Sequence, residues 1–120
     1  MNQSKINKEL GKLYAVDLIA CNPERIKFKE EVRDLFLRAV KECGASYIDD
    51  IFYQFEPYGV TGIVLIAESH FSLHTWPEEG YVSFDIFTCG TAMKADTAIE
   101  ILQSGFEADD KKVMILSRGY

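Results

Sequence analysis

The chain has no apolar run near the roughly 20 residues that a membrane-spanning helix needs. Its opening residues, Met1-Asn2-Gln3-Ser4-Lys5, lack the apolar stretch of a secretory leader. A cytoplasmic protein without a membrane segment is therefore expected. Basic residues are in the minority, 13 Lys and Arg against 19 Asp and Glu, for a formal net charge of −6. Nucleic acid is bound through clustered Lys and Arg, so no nucleic-acid partner is expected, whereas a cationic small molecule suits this acidity. Cysteine is scarce: Cys21, Cys43 and Cys89 cannot all pair and show no C-x-x-C spacing. They read as reduced thiols, two in the core and one open to reaction. Repeats, low-complexity tracts and Pro/Ser-rich linkers are missing, so nothing divides the 120 residues. Halves of so short a chain would be too small to bury a core, and residues 1–120 are read as a single domain.

What is present has clear periodicity. Leu13 to Ala20 is apolar and strand-like, ending at the Asn22-Pro23 turn. Phe28, Val32, Leu35, Phe36, Ala39, Val40 and Cys43 share one helical face, and Gly44 is placed as the left-handed stop. Tyr47 to Phe55 alternates as a strand, Glu56-Pro57-Tyr58-Gly59 is a turn, and Val60 to Ala67 is apolar like a central strand. Tyr81 to Thr88 alternates again, with Val82, Phe84 and Ile86 on one side. Ala95, Ala98, Ile99 and Leu102 outline a second helix closed by Gly105, and Val113 to Leu116 is a last strand. The fold class is thus α+β, a two-layer sandwich with two helices on one face of a mainly antiparallel sheet. The other sheet face then stays polar or packs on a second protomer, and a homodimer is the expectation.

Chemistry concentrates in residues 68 to 90, E-S-H-F-S-L-H-T-W-P-E-E-G-Y-V-S-F-D-I-F-T-C-G. Both histidines and the only tryptophan lie here, in what reads as a polar, aromatic-rich connection between strands. His70 and His74 are spaced i, i+4, but with one distant Cys89 they form no recognised metal signature, and no metal is expected. Serine hydrolase chemistry lacks its G-x-S-x-G and a third orienting residue. A lone Trp is most often plain packing.

The string as a whole resembles the signature of the prokaryotic S-adenosylmethionine decarboxylases, pyruvoyl-dependent proenzymes that carry E-S-H-x-S-x-H-T-W-P-E-x-G-Y followed by D-x-F-T-C-G. The likeness continues through Cys21-Asn22-Pro23-Glu24, Phe55-Glu56-Pro57 and Gly59-Val60-Thr61-Gly62, covering the chain from about Gly11 to the last strand.

The resemblance implies self-cleavage between Glu68 and Ser69 into a 1–68 chain and a 69–120 chain. The Ser69 hydroxyl attacks the Glu68 carbonyl, and elimination and hydrolysis leave a pyruvoyl group derived from Ser69 as the cofactor. That ketone takes the substrate α-amine as a Schiff base and serves as the electron sink for loss of CO₂. Cys89 is implied as the proton donor to the product carbon. His74 is implied in the proton transfers of self-processing, and His70 only in local hydrogen bonding. Phe55, Trp76 and Glu78 match the positions that stack adenine and hold ribose. Where the family commonly has G-V-S-G this chain has Thr61, which keeps the hydroxyl that supports processing but adds a χ1-stiffening methyl. Asn22 stands in place of a common Asp.

Three functions follow. The first is decarboxylation of S-adenosylmethionine for polyamine (spermidine) synthesis, the substrate being the partner that Phe55, Trp76 and Glu78 favour. The second keeps the pyruvoyl chemistry but acts on a basic amino acid, arginine or ornithine. The third is an unprocessed, inactive paralogue serving as a binding subunit, against which Ser69, His74 and Cys89 speak.

Overall fold

The computed structural model describes residues 7–89 and 93–120. In chain order these form β1 (Glu9–Ile19), a 3-10 turn (Pro23–Arg25), α1 (Lys29–Glu42), β2 (Tyr47–Gln54), β3 (Val60–Ile66), β4 (Ser69–Trp76), a second 3-10 turn (Pro77–Glu79), β5 (Tyr81–Thr88), α2 (Ala95–Gly105) and β6 (Asp110–Gly119). The strands make one sheet in the order β2-β3-β4-β5-β1-β6, every pair antiparallel. The expected two-layer α+β architecture is present.

Side chains alternate between sheet faces with period two, so cross-strand register sorts them into rows. One row runs Phe52–Gly62–Leu73–Phe84–Val16, and all five are buried under the helices. Helix α1 lays Val32, Phe36, Ala39 and Val40 onto it. Phe36 meets the rings of Phe52, Phe71 and Phe84 edge-on, with centroids 6.1, 5.8 and 6.4 Å away. Gly62 has to be glycine, because a Cβ there would lie 2.3 Å from the Phe52 ring. Helix α1 has no side-chain cap of its own; instead its Lys29 N–H donates to Oε1 of Gln54 on β2 at 2.6 Å. It ends at Gly44, whose φ of +87° confirms the left-handed stop.

Among the described residues, no helix covers the opposite sheet face. Its rows read Ile51–Ile63–Ser72–Asp85–Ala15–Met114 and Tyr53–Thr61–His74–Ser83–Asp17–Lys112. Ile51 and Met114 are each 71% exposed, and Tyr53, Ile63, Leu65 and Leu116 are exposed as well.

The structure corrects one expectation. Residues 69–76 are not a connection but a full central strand, β4. Its inward residues Phe71, Leu73 and Thr75 alternate with His70, Ser72, His74 and Trp76, which face the side without helices. The polar and aromatic character of that outward set hides the strand period. At the other end of the chain, β6 outruns Val113–Leu116 on both sides, because strongly exposed Lys111 and Lys112 still pair with β1.

Candidate active site

Strands β3 and β4 are joined by a two-residue turn, Ala67-Glu68, with Ile66 facing Ser69 across the ladder. Such turns normally need positive φ within the loop, supplied by Gly, Asn or Asp, to match the strand twist. Neither Ala67 nor Glu68 has a positive φ; Ser69 does, at +157°. The irregular conformation thus falls on the residue whose hydroxyl would have to react. The Glu68 carbonyl is gripped by one neighbour: Cys89, just beyond β5, donates its backbone N–H at 3.2 Å and its Sγ–H at 2.9 Å. Two donors on one carbonyl oxygen polarise the carbon for attack and stabilise an oxyanion, as an oxyanion hole does. Cys89 is exposed, whereas Cys21 and Cys43 are buried and burial pushes both thiols up, Cys21 to about 11. The split into two core thiols and one accessible thiol agrees with the sequence reading. Ser69 Oγ lies 3.5 Å from Nδ1 of His70, a long local contact.

A second cluster occupies the far end of β4. Phe55, Tyr58, Thr61, His74, Trp76 and Glu78 line a cleft of about 240 Å³. Its walls are pinned by the buried Thr75, whose hydroxyl donates to the Ile26 carbonyl at 2.8 Å and accepts from Val60 N–H at 3.0 Å. Thr61 Oγ1 and His74 Nδ1 are 2.9 Å apart. Trp76 lies 6.0 Å from the His74 ring and stacks on Tyr81 at 5.1 Å and 28°. Tyr81 in turn donates to Asp17 at 2.6 Å, and burial followed by that hydrogen bond pushes its phenol up to about 12. Phe55 is held by its N–H donating to the Gly59 carbonyl at 2.8 Å. Glu78 is exposed at the cleft rim.

Five of the residues singled out from sequence, Phe55, Thr61, His74, Trp76 and Glu78, therefore share one cleft. The other three, Glu68, Ser69 and Cys89, share the turn. Within one chain the two groups are apart: Ser69 and His74 are five residues apart on an extended strand, roughly 17 Å. Sequence reasoning missed Tyr58, Tyr81 and Ser46. Tyr81 stood inside the telling string with an alternation signal only, and Ser46, which bonds the Glu68 side chain, had no signal at all. Gly90, the last residue of that string, lies outside the described residues.

The family model described as S-adenosylmethionine decarboxylase matches residues 12–119. The chain belongs to the S-adenosylmethionine decarboxylase family. A relative from Thermodesulfovibrio yellowstonii, named S-adenosylmethionine decarboxylase proenzyme, is 38% identical over 110 residues, covering 92% of this chain and 82% of its own. One of the same name from Pyrococcus furiosus is 40% identical over 114 residues, with 92% and 79% covered. The crystal structure of the adenosylmethionine decarboxylase from Aquifex aeolicus superposes with a TM-score of 0.87 at 36% identity, over 94% of this chain and 93% of that one. A Trypanosoma brucei decarboxylase, at 16% identity and TM-score 0.64, shares the fold alone. Among the described residues, no helix is long and apolar enough to cross a membrane.

Proposed function

We propose that this chain is a self-processing S-adenosylmethionine decarboxylase whose pyruvoyl cofactor forms from Ser69. The observation that carries the reading is the Glu68 carbonyl resting on both donors of Cys89 at the start of β4. Attack by Ser69 Oγ on that carbonyl breaks the Glu68–Ser69 C–N bond and forms an ester, the new amine taking the proton. β-Elimination then removes the Ser69 Cα proton and breaks the Cβ–Oγ bond, freeing Glu68 as a carboxylate and leaving a dehydroalanine. One water adds to the tautomer and ammonia departs. The residues present fit the group: a serine at a turn, with its neighbour's carbonyl polarised and an accessible thiol beside it.

Once formed, the pyruvoyl group supplies an electron sink for decarboxylation at the carbon bearing the substrate amine. Cys89, beside residue 69, is the group placed to return a proton to that carbon. Phe55, Tyr58 and Trp76 offer aromatic faces to a flat base and to a sulfonium, and Glu78 offers a carboxylate to ribose hydroxyls. Arginine or ornithine would leave those rings without a partner, which favours S-adenosylmethionine as the substrate.

The active form on this reading is a homodimer that pairs the open sheet faces. Large exposed apolar residues spread over that face are what a partner surface covers. A two-fold axis near Ser72 would exchange the two ends of β4, bringing one chain's His74 and Thr61 to the other's Ser69.

Intact mass under denaturing conditions tests the processing. Two fragments are expected, split between Glu68 and Ser69, the second lighter by one ammonia than a serine-ended peptide. Release of CO₂ from S-adenosylmethionine but not from arginine or ornithine is then expected. A single stable 120-residue species would overturn the reading and bring the unprocessed binding subunit forward.

A further inference from the structure

The loop between α1 and β2 meets the Ala67-Glu68 turn through one residue. The Ser46 carbonyl accepts from Ala67 N–H at 2.8 Å. Its own N–H donates to Oε1 of Glu68 at 3.0 Å, and its hydroxyl donates to Oε2 at 3.2 Å. Both carboxylate oxygens of Glu68 are thus held by a serine 22 positions earlier, while the carbonyl of Glu68 is held from the other side by Cys89. A glutamate on a hairpin turn would otherwise be a solvated chain of free rotors. Held on both sides of its Cα, this one has fewer ways to rock its peptide plane away from the Cys89 donors.

We propose that Ser46 is a positioning residue for self-cleavage, clamping the Glu68 side chain so that the Glu68 carbonyl stays seated on Cys89 while Ser69 attacks. The inference rests on Glu68–Ser69 being the bond that is cleaved. Ser46 touches none of the reacting atoms; it acts through Glu68. Attack demands approach to about 3–3.5 Å along a fixed line, and a misplacement of 1 Å can cost about 10²-fold. Removing one of the clamp's two side-chain bonds is expected to slow cleavage on the order of tenfold.

The clamp also has a signature in pH. The Ser46 N–H, more than its hydroxyl, holds the Glu68 carboxyl below the usual carboxylate range, and partial desolvation works against it. The other titratable groups facing Glu68 are the Cys43 thiol at the end of α1 and the Cys89 thiol beyond β5. A clamp made of donors weakens when its acceptor is protonated, so cleavage should fall off as pH drops through the depressed Glu68 value. Losing the hydroxyl leaves the N–H and moves that acid limb to higher pH.

The full-length precursor, made by cell-free synthesis, is followed for appearance of the 1–68 and 69–120 fragments across pH in wild type, Ser46→Ala, Ser46→Thr and Glu68→Gln. Expected are about tenfold slower cleavage with Glu68's part of the acid limb raised in Ser46→Ala, recovery in Ser46→Thr, and loss of that part alone in Glu68→Gln. Carboxyl titration of Glu68 by NMR in a Ser69→Ala chain supplies a readout that needs no cleavage, and Ser46→Ala is expected to raise that titration. Wild-type rate and an unmoved limb in Ser46→Ala would overturn the clamp while leaving the cleavage itself standing. An unmoved Glu68 titration, or Ser46→Ala and Ser46→Thr equally slow with unchanged limbs, would overturn it as well. A wild-type chain that never splits at this bond overturns the clamp and the processing reading together.

Discussion

Thr61 on β3 and His74 on β4 stand directly opposite each other in the ladder, with Oγ1 and Nδ1 2.9 Å apart. When Nδ1–H donates to the threonine oxygen, Nε2 is the basic nitrogen, turned away from β3. The pairing fixes the ring and, in that tautomer, the nitrogen available for proton transfer. Thr61→Ala is expected to slow self-cleavage by about tenfold, a modest part of the 10²–10⁴ that a positioned acid or base supplies. Thr61→Ser should cleave at least as fast as wild type, because it keeps the oxygen and drops the methyl. Time courses of fragment formation check both, and equal rates in all three chains would show that the pair has no part in processing.

If sites are shared between two copies, mixing defects should restore function. A Ser69→Ala chain keeps His74 and a His74→Ala chain keeps Ser69, so each alone should stay uncut. Co-expressed, the mixed dimer holds one complete set, and the His74→Ala chain should be cleaved in part. Mass spectrometry of the mixture reads this directly. No cleavage despite a demonstrated mixed dimer would place both residues in service of the same chain.

Cys89 acts on the Glu68 carbonyl through backbone and thiol, and only the thiol is open to substitution. Cys89→Ser retains a donor and should still be cleaved, within about tenfold of wild type. Its decarboxylation should drop by 10²-fold or more, since a hydroxyl is a far poorer proton donor at neutral pH. Separate assays of fragment formation and CO₂ release decide it, and equal losses in both would merge the two proposed roles into one.

Phe36 is fully buried at the meeting point of three aromatic rings. Phe36→Ala should cost about 3–5 kcal/mol, the range for emptying a large aromatic site. Urea unfolding of a Ser69→Ala precursor measures it. A loss under about 1 kcal/mol would mean that the helix layer collapses readily into the gap.

Arg33 on α1 grips Asp50 on β2 with Nε to Oδ1 at 2.9 Å and Nη2 to Oδ2 at 3.0 Å. That guanidinium, helped by the Tyr47 hydroxyl, holds the Asp50 carboxyl below its ordinary value against the opposing effect of burial. A depressed folded value stabilises above the unfolded pKa of about 3.9 and loses that contribution as pH falls through the folded value. The thermal midpoint should therefore decline below about pH 4. Asp50→Asn should lower the midpoint at neutral pH and flatten part of that acid decline. Parallel acid limbs in the two chains would show that other carboxylates carry it.

Local pattern alone determined the helices and most strands, and the family came from the resemblance of one linear string. Val32 to Cys43 repeats at helical spacing because one face must be buried, whereas Phe28, grouped with them from sequence, precedes the helix and is exposed. Val82, Phe84 and Ile86 alternate because a strand has two faces. The run from Glu68 to Gly90 pointed to Ser69, His74 and Cys89 only through its resemblance to the family's signature. Tertiary structure alone decided three things. It made residues 69–76 a central strand, since outward His70, His74 and Trp76 mask an inward Phe71, Leu73 and Thr75 whose burial depends on two flanking strands. It divided the predicted residues between a turn and a cleft at opposite ends of β4, a separation that strand rise imposes and spacing along the sequence does not reveal. And it set Ser46 against Glu68, because a hydrogen bond across 22 residues depends on how the chain returns on itself and leaves no periodic trace in the sequence.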